Sequence, residues 1–312
     1  MTADGIEEPR HSTGHELVVV GSANRDLTVE VERRPEAGET VLGGDTRTSA
    51  GGKGANVAVA AAKLGSRVAM VGAVGADSAG EELLGSLRAA GVDTGLVRRC
   101  RRPSGAAYIT VTPDGENSII VSPGANGDLG VPDVQAAAGV IAAARVLFTV
   151  PEVPMETVAA AVRSARDRQV RVVFNASPVT DLEPDILAAA DPLVVNGHEA
   201  AWLLGVGPGE SGEPGELVRG LRELGARSVV VTLGARGAVT SDDAMGQVTV
   251  PAPAVTPVDT TGAGDAFSGA LVSRLAEGAQ LPEAARFAAR VAAISVSSWG
   301  AQDSYPAADQ LA

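Results

Sequence analysis

The chain is short of cysteine, aromatic rings and positive charge, and each shortage removes a class of function. Cys100 is the only cysteine among 312 residues. No intrachain disulfide and no thiolate metal cluster can form, which fits a reducing compartment. The three histidines, His11, His15 and His198, include no pair at metal-ligand spacing. Aromatic residues make up 3% of the chain, so a core must be built from closely packed Ala, Val and Leu. The net charge is −13, with no Lys/Arg-dense segment beyond Arg98–Arg102. That balance speaks against nucleic acid or an anionic membrane as partner. A phosphate ligand would have to be held by local geometry and metal. Long hydrophobic runs are missing too, because Arg, Gly or Asp interrupts each one well short of a membrane span. The first fifteen residues, MTADGIEEPRHSTGH, lack an apolar stretch and are expected to be a disordered tail, not a signal peptide. The expectation is a soluble, cytoplasmic protein.

What the chain does have is 45% hydrophobic residues, over a length that suits one large α/β domain or two ordinary ones. Leu17–Gly21 reads as a buried first strand. Short β-like pieces (Leu27–Val31, Thr40–Leu42, Thr46–Ser49) then alternate with turns. Ala55–Leu64 is an Ala-rich helix, Arg67–Val71 a second strand, and Glu81–Ala90 a helix. Arg98–Arg102 reads as a solvated turn. Ser104–Thr112 and Asn117–Val121 flank Pro113-Asp-Gly-Glu116 and predict a β-hairpin. Strands at Arg145–Val150, Val170–Phe174, Leu193–Asn196 and Ser228–Leu233 alternate with helices at Met155–Arg168, Glu199–Leu204 and Pro214–Leu224. Strands Ala238–Ser241 and Gln247–Val250 and two Ala-rich helices, Ala263–Ala276 and Leu281–Ser298, close the chain. The βα alternation predicts a three-layer α/β/α domain over 16–312, its central sheet mostly parallel and covered by helices on both faces. The β-only pieces do not fit that sheet. They are expected to form a small lid sheet from about 24–50 and 104–122. Gly205–Gly215, rich in Gly, Pro and Glu, reads as a surface loop.

Asp259-Thr-Thr-Gly-Ala-Gly-Asp265, leading straight into an apolar helix, carries the most chemistry. Gly262 and Gly264 lack Cβ, so the backbone can bring several N–H groups to one anion. The helix leaves those groups unsatisfied, and its dipole adds positive potential there. Asp265 is out of place for simple phosphate binding, because a carboxylate repels phosphate. It makes sense as a base that takes a proton from a substrate hydroxyl. The N–H groups of Gly262, Ala263 and Gly264 would then stabilise charge on a transferring phosphoryl group. That is kinase chemistry. An Asp at a helix start is also a common dipole partner, so the other motifs have to decide.

Gly51-Gly-Lys-Gly-Ala-Asn56 opens the first helix, where Asn56 can offer donor and acceptor to a hydroxyl. Lys53 is followed by Gly54, so this is no Walker A loop, and no dinucleotide fingerprint follows the first strand. Asn24 and Asp26 lie just past that strand, where open α/β sheets bind ligands, although both also suit a turn. Asn196-Gly-His-Glu199 has the spacing of a capping box. Its carboxylate is equally placed to hold Mg²⁺ through water near nucleotide phosphates. Thr232-Leu-Gly-Ala-Arg-Gly237 is a two-glycine turn, either a nucleotide contact or a hairpin bend.

Taken in order, these pieces, with Gly-Ser-Ala-Asn-Arg-Asp (21–26), Pro-Glu-Ala-Gly-Glu-Thr (35–40) and Pro-Gly-Ala-Asn (123–126), resemble the ribokinase-like family of carbohydrate kinases. The resemblance runs from about Val18 to about Pro306. It implies ATP-dependent phosphorylation of D-ribose at O5, with Asp265 as the base and Gly262–Gly264 as the anion hole. It implies sugar contacts from Asn24, Asp26, Gly52, Lys53, Asn56 and Glu152. ATP would face Asn196, Thr232, Leu233, Gly234, Ala235, Arg236, Gly237 and Gly264, with Glu199 acting on Mg²⁺ through water. An activating K⁺ would sit beside the anion hole on Asp259, Thr261, Ser295, Ser298, Gly300 and Ser304, with Gly300-Ala-Gln302 as the matching family segment. The lid would join two copies in a homodimer. Sibling kinases for deoxyribose, fructose or a nucleoside share the pattern, and scarce aromatics argue against a nucleoside. A non-catalytic sugar sensor on the same fold would need neither Asp265 nor Glu199.

Overall fold

The computed structural model describes residues 14–113, 117–207 and 212–311. Nearly all of the expected tail, most of the 113–116 turn and the middle of the 205–215 loop lie outside the described residues. The chain opens with β1 (Leu17–Val20), β2 (Asn24–Glu30), β3 (Arg47–Gly51), α1 (Lys53–Lys63), β4 (Val68–Gly75), α2 (Ser78–Ala89) and β5 (Asp93–Cys100). Then come β6 (Gly105–Val111), β7 (Asn117–Ser122), α3 (Val131–Ala136), α4 (Ala138–Ala143), β8 (Val146–Thr149), α5 (Met155–Arg166) and β9 (Arg171–Asn175). They are followed by α6 (Pro184–Ala189), β10 (Ala190–Asn196), α7 (Gly197–Leu203), α8 (Pro214–Glu223) and β11 (Val229–Thr232). The last elements are β12 (Ala238–Asp242), β13 (Gly246–Val250), α9 (Ala263–Ala276) and α10 (Leu281–Ser295).

Among the described residues, nine strands form one sheet in the order β13-β12-β11-β10-β9-β8-β1-β4-β5. From β11 to β5 all neighbours are parallel, while β12 and β13 return antiparallel. The sheet needs helices on both faces because its strands are apolar on both. In β1, Leu17 and Val19 pack into one core with α1, α2, α9 and α10. Val18 and Val20 point the other way, into a core shared with α3 to α8. Few large rings are available; Phe148 and Phe174 are fully buried, and Ala and Val fill most of the rest. Small residues therefore set the helix spacing. A Cβ on Gly269 of α9 would come within 2.5 Å of the Ala60 methyl of α1 and 2.9 Å of the Val57 carbonyl oxygen. Its absence draws the two helices together, and both begin at the cleft described below.

The lid is a separate sheet in the order β3-β2-β6-β7, with β2 parallel to β6 and the outer pairs antiparallel. Thr40–Leu42 forms no strand. Only the bridge Val31↔Gly43 survives there, and Leu42 is 95% exposed, so nothing buries the segment. Arg98–Arg102 is a turn only in its second half, because β5 runs to Cys100 along the edge of the large sheet and Arg101 and Arg102 follow it as an exposed bend. Three of its four cations are paired: Arg98 with Asp133 at 2.8 Å, Arg99 with Glu81, and Arg102 with Asp128 at 3.1 Å. A charged edge of this kind resists further strand addition. The short helices α3, α4 and α6 have no counterpart in the sequence reading, and α10 ends at Ser295 rather than 298. Among the described residues, no helix is long and apolar enough to cross a membrane.

Candidate active site

The cleft is built where β1 and β8 end, α1 and α9 begin, and the inner face of the lid comes down. Gly52 adopts φ +88°, and a Cβ there would strike the Asn24 amide nitrogen at 2.7 Å, so only glycine lets α1 start this close to β2. The result is a compact set of polar groups. Asn56 Nδ2 donates to Asp265 Oδ2 at 2.8 Å, and Lys53 Nζ lies 3.9 Å from Asp265 Oδ1. The Lys53 amide donates to Glu152 Oε2 at 3.1 Å, and the Ser22 hydroxyl donates to the same oxygen. Asn24 Oδ1 accepts from Asn126 Nδ2 at 2.7 Å, and Asn126 also binds the backbone of Ala23 through N–H (3.0 Å) and C=O (3.2 Å). The structure thus brings Asn24, Asp26, Gly52, Lys53, Asn56, Glu152 and Asp265 to one place.

Burial and crowding of charge set the protonation of this cluster. Asp26 is pushed up to about 7, first by burial and then by the negative charges of Glu152 and Asp265. Burial also raises Glu152, against the pull of Lys53. For Lys53, burial acts downward, but Asp265, Glu152 and Glu199 together carry it above its ordinary value, so it stays cationic. Tyr305 is raised far, by burial and then by Asp265 and Asp26. One ammonium therefore faces several carboxyl groups, and burial raises Asp26 and Glu152 among them.

The 259–265 motif forms a left-handed turn before α9. Gly262 has φ +74°, and its carbonyl accepts from the Tyr305 hydroxyl at 3.0 Å. A Cβ on Gly262 would meet that hydroxyl oxygen at 2.5 Å. The Ala263 amide is used internally, donating to the Thr260 carbonyl at 3.2 Å. The Gly264 and Asp265 amides lie in the first turn of α9, where the helix supplies no acceptor and no side chain caps them. Space beside Gly264 is open. An anion placed there meets free N–H groups and the positive end of a 14-residue helix.

Asp259 ties this turn to the end of α10. Its carboxylate accepts from the Thr261 and Gly300 amides, both at 2.9 Å, and its own amide donates to the Val296 carbonyl at 3.2 Å. Burial pushes Asp259 up, but those N–H bonds and Arg47 hold it below its usual value. Asp259, Thr261 and Gly300 are thus in contact. Ser295 and Ser298 lie one residue before and two after Val296, and the Ser304 hydroxyl donates to the Ala301 carbonyl at 2.8 Å.

The nucleotide-side candidates gather at the ends of β10 and β11. Asn196 stands opposite Thr232 in register, and Gly197 packs beside Leu233. Asn196 and Glu199 form the capping box: the Glu199 amide donates to Asn196 Oδ1 at 2.8 Å, and Glu199 Oε2 accepts from the Asn196 amide at 2.7 Å. Its other oxygen is left for solvent or a metal's water shell. Gly234, Ala235 and Arg236 are exposed in a short 3₁₀ turn. Among the described residues, no three acidic, His or Cys side chains make a metal cage.

Several residues of this cleft escaped the sequence reading. Ser22, Asn126, Gln302 and Tyr305 reach it from four places in the chain, and nothing in their local patterns announces a role. Ser22, Asn126 and Gln302 lie in segments with family likeness, which was the only available signal. Gly51 and Gly105 also leave room for side chains of this cleft. A Cβ on Gly51 would collide with the Asp26 carboxylate, and one on Gly105 with the Asn24 and Asn126 side chains.

With this geometry in place, comparison with known proteins is direct. The pfkB family carbohydrate kinase profile matches residues 15–308. The ribokinase of Bacillus subtilis is 38% identical over 296 residues, covering 95% of this chain and 97% of that one. The deoxyribokinase of Salmonella typhi is 33% identical, covering 95% and 97%. The structure of Arabidopsis thaliana ribokinase complexed with ribose and ATP superposes with a TM-score of 0.86 at 32% identity, covering 96% of this chain and 98% of that one. The chain belongs to the pfkB family of carbohydrate kinases and is a sugar kinase.

Proposed function

We propose that the chain transfers the γ-phosphoryl group of ATP to O5 of D-ribose, giving D-ribose 5-phosphate and ADP. The observation that carries this reading is Asp265. It stands at the uncapped N-terminus of α9, under the lid, held by Asn56 at 2.8 Å and faced by Lys53 at 3.9 Å. The similarity to curated ribokinases over nearly the whole chain supports ribose as the acceptor. Asp26, Asn24, Glu152 and Lys53 bind and orient the sugar. Asp265 takes the O5 proton as O5 bonds to the γ-phosphorus and the bond to the β-phosphate oxygen breaks. The Gly264 and Asp265 amides stabilise the charge on the transferring group, while the lid keeps water out.

Glu199 would hold Mg²⁺ through water, with Asn196 facing the phosphates, and the metal would neutralise their charge there. Asp259 and carbonyls from the 295–300 segment suit a monovalent cation such as K⁺, and its charge would steady the turn that carries the anion hole. Tyr108 and Ile120 face each other in register on the outer face of the lid, 52% and 71% exposed. A second copy's lid is the partner that would cover them.

Asp265→Asn should fold and lose roughly 10²–10⁴ in turnover. Near-normal kcat in that variant removes Asp265 as the base. A coupled ADP-release assay over ribose, deoxyribose, fructose and nucleosides tests the acceptor, and a preference for any acceptor other than ribose overturns ribose.

A further inference from the structure

The assignment of Asp265 as base leaves Asn56 with both ends of its amide engaged inside the protein. Nδ2 donates to Asp265 Oδ2 at 2.8 Å, and Oδ1 accepts from Gln302 Nε2 at 2.9 Å. Gln302 Oε1 in turn accepts from the Ser86 hydroxyl at 2.7 Å. Asn56 and Gln302 are 4% and 6% exposed, so water does not compete for these bonds. The chain joins α9, α1, the 3₁₀ turn at Gln302–Ser304 and α2.

We infer that Ser86 and Gln302 are positioning residues for phosphoryl transfer, acting through Asn56 to fix which carboxylate oxygen of Asp265 receives the sugar proton. The inference rests on the kinase reading above. Its logic is the polarity of the chain. An ionised carboxylate only accepts, so Asn56 must turn its NH₂ toward Asp265 and its oxygen toward Gln302. Gln302 must then give its NH₂ to Asn56 and its oxygen to Ser86, and Ser86 must donate. Each link has one orientation, and the last is a hydroxyl that can supply it. Oδ2 is thereby occupied, and Oδ1 is the oxygen left for the proton. The other groups facing Asp265 are Lys53 from α1, Asp26 from β2, Glu152 after β8 and Tyr305, and none of them makes a hydrogen bond to Oδ2.

The backbone of this segment is anchored independently of the Gln302 side chain. Lys63 Nζ donates to the carbonyls of Gln302 at 2.7 Å and Tyr305 at 3.1 Å. Removing the amide should therefore release Asn56 without displacing the turn. Ser86 is further removed still, since it touches neither Asp265 nor the cation ligands proposed above.

The test is steady-state kinetics on the full chain with ribose and ATP, with Asp265→Asn as reference. Gln302→Met keeps length and loses both bonds. It should lower kcat roughly 10-fold, below the ~10² that a 1 Å misplacement can cost, with both KM values within about two-fold. Gln302→Glu keeps the shape but can only accept, which reverses the chain, and it should lose at least as much kcat. Ser86→Ala should lose roughly three-fold, and Ser86→Thr, which keeps the donor, should recover it. If Asp265→Asn is inactive while Gln302→Met and Ser86→Ala turn over like wild type, the relay is overturned and the base assignment stands. If kcat falls only together with melting temperature, or Ser86→Thr fails to rescue, the contribution is packing and the inference fails. Near-normal Asp265→Asn overturns the base assignment and the relay together.

Discussion

On the proposed sugar side of the cleft the glycines are boxed in, whereas on the nucleotide side Gly234 and Gly264 stand in the open and Gly237 is packed against the backbone of residues 250–252. Gly51, Gly52, Gly105 and Gly262 have no room for a Cβ, because Asp26, Asn24, Asn126 or Tyr305 already fills it. Gly234 and Gly264 meet nothing within 4 Å. The polar residues divide in the same way. Asn24, Asp26 and Asn56 are buried, while Asn196 and Arg236 face solvent. One half is assembled by the fold before any ligand arrives, at the cost of crowding carboxyl groups. The other half offers backbone and space, and its contacts await the phosphates. A kinase gains from this division: the acceptor hydroxyl must be aimed to within a fraction of an ångström, whereas a polyphosphate can be gripped by free N–H groups and metal.

The comparison breaks most visibly at Gly51. Gly51→Ala should push the Asp26 carboxylate away from the sugar and weaken ribose binding roughly 10-fold to 150-fold, the range of a lost charge-assisted bond. ATP affinity should hardly move, and calorimetry with each ligand separates the two. A comparable loss for both ligands would show that the halves are one unit.

Next in size is a pH effect specific to the crowded half. Asp26 ionises at about 7 in the free protein, and only the ionised form accepts two sugar hydroxyls. Ribose affinity should therefore fall as pH drops through 7, being about ten-fold weaker at pH 6 than at pH 8. The stability sign is opposite to that of a salt-bridged Asp. The folded value lies above the unfolded one near 3.8, so the ligand-free protein loses stability as pH rises from about 4 to 7 and levels off above. Asp26→Asn should remove both trends, read by calorimetry and by denaturant midpoints across the pH range.

Asp259 sits at the seam between the halves, tying the anion-hole turn to Gly300. Replacing K⁺ by Na⁺ at constant ionic strength should lower kcat several-fold if a cation completes that seam. Equal rates in both salts would leave Asp259 as a loop tie alone. The smallest effect is expected at Gly264. Its backbone is helical and its surroundings empty, so Gly264→Ala should leave the fold intact or stabilise it by about 0.5–1 kcal/mol. A methyl group there still intrudes on the phosphate space, and KM for ATP should rise a few-fold. A variant that is both more stable and unimpaired would mean that the open half is not where phosphate lies.

The fold was legible from the sequence because its signals are local. Val-rich strands such as β1 and β11, alternating with Ala-rich helices closed by Gly65 or Gly91, show a parallel sheet residue by residue. The lid showed itself as β pattern without helical period. What stayed hidden had weak local signal: the edge strand β5 is exposed and Arg-rich, and α3, α4 and α6 are six residues each. The cleft divided similarly. The 51–56 and 259–265 motifs are contiguous and glycine-marked, so they could be seen. Ser22, Asn126, Gln302 and Tyr305 are single polar residues whose partners lie 43 to 246 positions away.

By itself, then, the sequence determined the class of fold, the place of the anion-binding turn and the presence of an acid at its helix, because backbone conformation and helix dipoles follow from neighbouring residues. The tertiary structure alone decided that Asn56 faces Asp265, that Lys53 feels the charges of Asp265, Glu152 and Glu199, and that Asp26 is crowded enough to be pushed up to about 7. Those are properties of charges and amides brought close by packing, above all by the α1–α9 contact at Gly269. Distance in space, which sets both the hydrogen bond and the Coulomb energy, is not written in any one stretch of chain.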